Sequence, residues 1–215
     1  MKFKNFLAIE EARANAFNLF SALFCQPEDE ILRDTGLFAS LKKSFEILNI
    51  EQKGCVEELE ESLNHFTETE LLVEYAQLFI GPFKTLAPPY SSIYLGGDSV
   101  MTDDTIWVLH QYRKMELDFN MGIRDLPDHV AVEAEYLYYL IFNEIKSFQD
   151  EKTGEAKKFY EAQKIFLEEH FNKWIPVFCL HGLKQTENDY YKTLFKCLDV
   201  FTRSAGLVVF PKSID

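Results

Sequence analysis

The apolar residues of this chain recur every three or four positions, and that regularity narrows the fold more than anything else in it. Ile9, Ala12, Ala16, Phe17, Phe20, Leu23 and Phe24 fall on one face of a helix. Leu37, Leu41, Phe45 and Leu48 repeat the spacing. So do Val56, Leu59, Leu63 and Phe66, with Glu57, Glu58, Glu60 and Glu61 on the wet side. Gln26-Pro27 stops the first helix, since proline disfavours helical geometry in the residue before it. Thr67-Glu68-Thr69-Glu70 spells a capping box, in which the Thr67 hydroxyl accepts from the Glu70 amide while the Glu70 carboxylate reaches back. The helix it opens carries Leu71, Leu72, Tyr75, Leu78 and Phe79, and Gly81-Pro82 ends it.

Further starts follow. Thr102-Asp103-Asp104 places acids at the positive end of a helix presenting Ile106, Leu109, Arg113 and Leu117. Asp125-Leu126-Pro127-Asp128 predicts another, with Pro127 near its first position and Asp128 in its first turn. Thr153-Gly154 precedes a helix ending near His170, Pro176 interrupts the next segment, and Thr186 to Asp189 cap the last. Alternation of the β kind is confined to Leu207-Val208-Val209-Phe210. With no repeat and no polar linker, residues 1–215 read as a single all-α domain of about nine to ten helices.

Charge and composition exclude several functions. Acidic residues outnumber basic ones, 35 to 22, and the net charge of −13 suits a basic partner rather than nucleic acid or an anionic membrane. Tyr136 to Phe142 is the longest strongly apolar run, far below the ~20 residues that span a bilayer. Glu10, Glu11 and Arg13 interrupt any signal-peptide core. Twenty Phe, ten Tyr and two Trp require a large interior. Cys25, Cys55, Cys179 and Cys197 form no CxxC pair and read as free core thiols of a reducing cytoplasm.

Catalytic signatures are absent: no GxGxxG, no GxxxxGK, no HExxH, no ExxH and no Ser/His/Asp arrangement. No catalytic residue, metal or cofactor is therefore expected. The alternative would be a small helical metal-dependent hydrolase using His129, Glu133 and Asp128, because His129 and Glu133 share a helix face. That spacing equally suits a plain side-chain pair, and zinc needs three or four ligands. Cys179-x-His181 is a weaker candidate. The unusual stretch is Phe83 to Gly97, where Pro88-Pro89 and Gly96-Gly97 preclude an ordinary helix. Its prolines could hold Tyr90 and Tyr94 as rigid peptide-contact surfaces, or the rings could simply pack the loop onto the core. A structural adaptor engaging a folded partner is a further alternative.

Two motifs bring a family into view. Tyr75-Ala76-Gln77-Leu78-Phe79-Ile80-Gly81-Pro82, followed by Pro88-Pro89-Tyr90-Ser91-Ser92-Ile93-Tyr94-Leu95, resembles the signature of the TorD/DmsD family of redox-enzyme maturation chaperones, to which NarJ-type proteins are related. Pro127-Asp128-His129 before an apolar helix resembles that family's second motif. The resemblance implies a non-enzymatic cytoplasmic chaperone. Its partners would be the twin-arginine leader and the apo-form of a molybdoenzyme catalytic subunit, held back from export until cofactor is loaded. By motif, the leader-binding residues would be Tyr75, Leu78, Phe79, Pro82, Pro89, Tyr90, Ser92, Tyr94, Asp128 and His129, with Asp128 pairing an arginine. A monomer and a domain-swapped dimer are both compatible with it.

Overall fold

Phenylalanine rings this numerous need a common interior, and the helices supply one by meeting around a column of them. The computed structural model describes residues 3–52, 54–81, 85–97, 99–119 and 125–211. The chain begins with α1 (Phe3–Leu23), a single turn α2 (Asp29–Leu32) and α3 (Thr35–Ile47), the last capped by Asp34, which accepts from Gly36 N at 2.8 Å. Next come α4 (Gly54–Leu63) and α5 (Glu68–Tyr75), the latter continuing into a wider π turn over Ala76–Ile80. A short α6 (Ser91–Leu95) precedes α7 (Asp103–Lys114) and the long α8 (Val130–Gln149). Finally α9 (Thr153–Phe166) runs through a second π turn, Leu167–Phe171, into α10 (Asn172–Gln185), and α11 (Asp189–Ser204) follows. Among the described residues there is no strand, and nine α-helices run eight residues or more, as expected for the all-α class.

α8 is the axis. It packs against α1 on one side and α9 on the other, and α10 and α11 pair beside them. Gly182 permits that pairing, because a Cβ there would stand 2.2 Å from the Phe195 ring. Phe17 meets Phe171 and Phe201 edge-on at 5.8 and 4.9 Å, while Phe24 touches Phe79, Phe178 and Phe195. Each fully buried ring contributes roughly 1.5–3 kcal/mol of transfer free energy. A smaller cluster closes one end. There the extended segment after α11 lays Val208 and Phe210 onto Phe6 of α1, Phe148 of α8 and Ala156 of α9. No strand forms at Leu207–Phe210, since the segment finds side-chain contacts rather than a paired backbone.

Several local expectations are corrected. α8 starts at Val130, so Pro127 and Asp128 precede it, and the cap is His129. α7 buries Thr105, Val108, Gln111 and Tyr112, leaving Ile106 exposed; the Tyr112 hydroxyl donates to Pro127 O at 2.7 Å and fixes that rotation. Pro176 lies inside α10 rather than interrupting it. Its ring would crowd the carbonyl four residues back, that of Asn172, and the helix widens to π spacing immediately before that residue. Three cysteines are buried as anticipated, but Cys25 is exposed. No described helix is long and apolar enough to cross a membrane.

Candidate functional site

The two motifs are joined by backbone. Tyr90 and His129 form an isolated antiparallel bridge, in which Ser91 N donates to Asp128 O at 3.0 Å and Val130 N donates to Pro89 O at 2.9 Å. Pro89 lacks an N–H but offers its carbonyl to the first turn of α8, where N–H groups have no helical partner. On its other side the loop is tied to the π turn. Leu86 N and Ala87 N donate to Gln77 O and Leu78 O, carbonyls the helix end leaves open. Gly81 closes that turn at φ 57°, a left-handed value that a side chain would strain.

Between these elements and the end of α1 lies a cleft of about 740 Å³. Tyr75, Phe79 and Ile80 form one wall, and Tyr90, Asp125 and His129 another. Ala131, Val132 and Glu135 of α8 extend the second wall, while Asn18, Ser21, Cys25 and Gln26 close the third. Four of the fifteen lining residues carry aromatic rings, two are carboxylates, and none of the described lining residues is Lys or Arg.

The polar geometry is specific. Tyr90 Oη donates to Asp125 Oδ1 at 2.8 Å, and the Tyr90 ring meets His129 edge-on at 5.3 Å. Burial, reinforced by the Asp125 hydrogen bond, pushes the Tyr90 phenol well above its ordinary value, so it stays a donor. Ala131 N donates to His129 Nδ1 at 3.1 Å; the neutral ring therefore carries its proton on Nε2, which faces Asp125 Oδ2 at 3.8 Å. Burial lowers the His129 pKa, and Asp125 and Asp128 only partly oppose it.

The motif residues thus divide. Tyr75, Phe79, Tyr90 and His129 line the cleft. Leu78, Pro89 and Ser92 are buried behind it. Tyr94 turns away, stacking on Trp174 at 5.9 Å and approaching His181. Pro82 lies outside the described residues. Asp128, expected to pair an arginine, is fully buried and accepts from Ser92 N at 3.1 Å through Oδ2, which caps α6. A carboxylate in that position stitches loop to helix and is not among the residues lining the cleft. Sequence reasoning passed over Asp125, read only as part of a start signal, and Glu135, a polar break in the apolar run after Val130. The α1 side of the cleft had no local signature.

The three residues of the metal alternative each have partners of their own. The Glu133 oxygens take His170 Nε2 at 2.7 Å and Trp174 Nε1 at 2.8 Å. Burial works against a charged His170, but Glu133, by charge and hydrogen bond, outweighs it and holds the ring above its usual value. Trp107 stacks on the same imidazole at 5.0 Å, so the network locks α7, α8 and α10 together. No group of three or more His, Cys, Asp or Glu among the described residues is placed to hold a metal ion.

Comparison with known proteins gives a consistent picture. The family described as nitrate reductase delta subunit matches residues 50–180, more than half of the chain. The chain is 25% identical over 207 residues to the chaperone protein TorD of Vibrio parahaemolyticus, covering 91% of this chain and 94% of that one. It is 26% identical over 183 residues to TorD of Vibrio atlanticus, with 81% and 84% covered. A crystal structure of a candidate redox enzyme maturation protein from Archaeoglobus fulgidus shares the fold, with a TM-score of 0.56 and 22% identity across 88% of this chain and 93% of that one.

Proposed function

This chain belongs to the nitrate reductase delta subunit family, which includes the TorD chaperones, and we propose that its cleft receives the twin-arginine leader of a molybdenum-cofactor oxidoreductase. The protein acts in the cytoplasm as a non-catalytic assembly chaperone, holding the apo-enzyme until cofactor is loaded. The observation that carries this reading is the joining of both motifs around one acidic, aromatic-walled cleft. A leader presents cationic guanidiniums beside an apolar helical run. Tyr75, Phe79 and Tyr90 offer the run a groove, as in helix-in-groove recognition, while the carboxylates attract the cations. His129 supports the Tyr90 ring edge-on, and Tyr90 orients Asp125. Leu78, Pro89, Ser92 and Asp128 hold the walls in place, and Tyr94 secures the loop from behind. The net charge of −13 steers a basic segment toward the protein.

Cys25 supplies a direct test, since it is the exposed cysteine and lies in the cleft wall. Iodoacetamide labelling of Cys25, read by peptide mass, should slow several-fold when a synthetic leader peptide saturates the protein, and should not slow with a scrambled peptide. A leader that binds tightly without protecting Cys25 would move the site elsewhere. Absence of binding would remove the function.

A further inference from the structure

If Asp128 is walled off, the carboxylate that meets an incoming guanidinium has to lie on the cleft surface. We infer that the Tyr90–Asp125 pair reads the arginine, with the tyrosine hydroxyl fixing the carboxylate plane so that a guanidinium is preferred over an ammonium. The inference rests on the leader-binding reading above and assigns its specificity to residues outside the Asp128-His129 motif.

Asp125 has the required exposure. Its side chain is 49% accessible and forms part of the cleft wall. It is also held. Oδ1 takes the Tyr90 hydroxyl at 2.8 Å, and Oδ2 sits 3.8 Å from His129 Nε2, beyond hydrogen-bond distance, so the tyrosine is what sets the carboxylate plane. Tyr90 is itself anchored by the backbone bridge to α8 and by its edge contact with His129. One oxygen is thus oriented by a neutral donor, while the carboxylate as a whole stays accessible on the cleft wall. Arginine presents two parallel N–H groups in a plane, so it gains from a carboxylate whose plane is already set. A lysine ammonium is a point charge and gains little from that orientation. Glu135 lies on the same wall but outside the tyrosine clamp.

Tyr90 is a positioning residue here, and its effect should appear in discrimination rather than in folding. The probe is a synthetic leader with an Arg-Arg pair before an apolar run, together with the same peptide carrying Lys-Lys, each titrated calorimetrically. The wild-type protein should favour Arg-Arg by about tenfold. Tyr90→Phe keeps the ring and the backbone bridge and should reduce that ratio to about two- or threefold; Asp125→Asn should abolish it. Glu135→Gln, outside the tyrosine clamp, should shift both peptides by the same factor and leave the ratio intact. Unchanged discrimination in Tyr90→Phe and Asp125→Asn, with wild-type binding present, overturns this inference and leaves leader binding standing. Failure of the wild-type protein to bind either peptide overturns both.

Discussion

Replacing Asp128 by alanine separates a supporting role from a contact role. The substitution removes the acceptor for Ser92 N, a charge-assisted bond at 3.1 Å in a fully buried setting, and leaves that N–H without its partner. Such a loss costs roughly 1.5–3 kcal/mol. Part is returned, because Asp128 Oδ1 is buried without a hydrogen-bond partner and Asp128 also opposes the ionised form of Glu133. A net loss of about 2 kcal/mol follows, which for a chain of this size lowers Tm by roughly 4–8 °C. Asp128→Asn keeps an acceptor oxygen and should lose less than half as much. Thermal unfolding followed by circular dichroism measures both. Leader titration well below the transition, where both variants are folded, should then show only a modest loss of affinity in Asp128→Ala. A variant with wild-type Tm and no leader binding would refute the reasoning, because it would mean that the carboxylate touches the ligand.

Glu144 and Gly182 test the interior. Burial, with Glu10 nearby, lifts the Glu144 pKa from 4.5 to about 9, against the pull of Arg13 and Gln163. A group whose folded pKa is raised takes up a proton on folding, so its contribution is present at low pH and is lost as pH rises from about 4.5 through about 9. Glu144→Gln cannot ionise; its Tm should match wild type near the acid end of that window and exceed it increasingly toward the alkaline end. Gly182→Ala should gain about 1 kcal/mol of helix propensity yet lose more to the clash with Phe195, for a net destabilisation of about 1–3 kcal/mol by urea unfolding.

Local signals in the sequence translated well where the interaction is itself local. The capping box at Thr67 is present as written, with Glu70 N donating to Thr67 Oγ1 and Thr67 N donating to Glu70 Oε2. The 3.6-residue spacing of α1 and α11 places Phe17, Phe20 and Phe201 in one core. The start of α8 was displaced because the cap is an imidazole, and histidine is not among the side chains that ordinarily mark such a position. Asp128 looked like a surface anion because neither its burial nor its bond to Ser92, 36 positions away, has any echo in nearby residues. The cleft is legible only by half for the same reason: the π turn, the loop and His129 announce themselves in motifs, whereas Asn18 and Ser21 arrive through tertiary packing of a helix that reads as core.

α1 also sets a distance. Its 21 residues reach from the Phe6 cluster, where Val208 and Phe210 settle, to the cleft wall at Ala22, a span of roughly 24 Å at 1.5 Å per residue. The last described part of the chain is thereby moored a helix-length from the cleft. A fluorophore or solid support attached through Val208–Phe210 would sit that far from the cleft and leave its mouth uncovered.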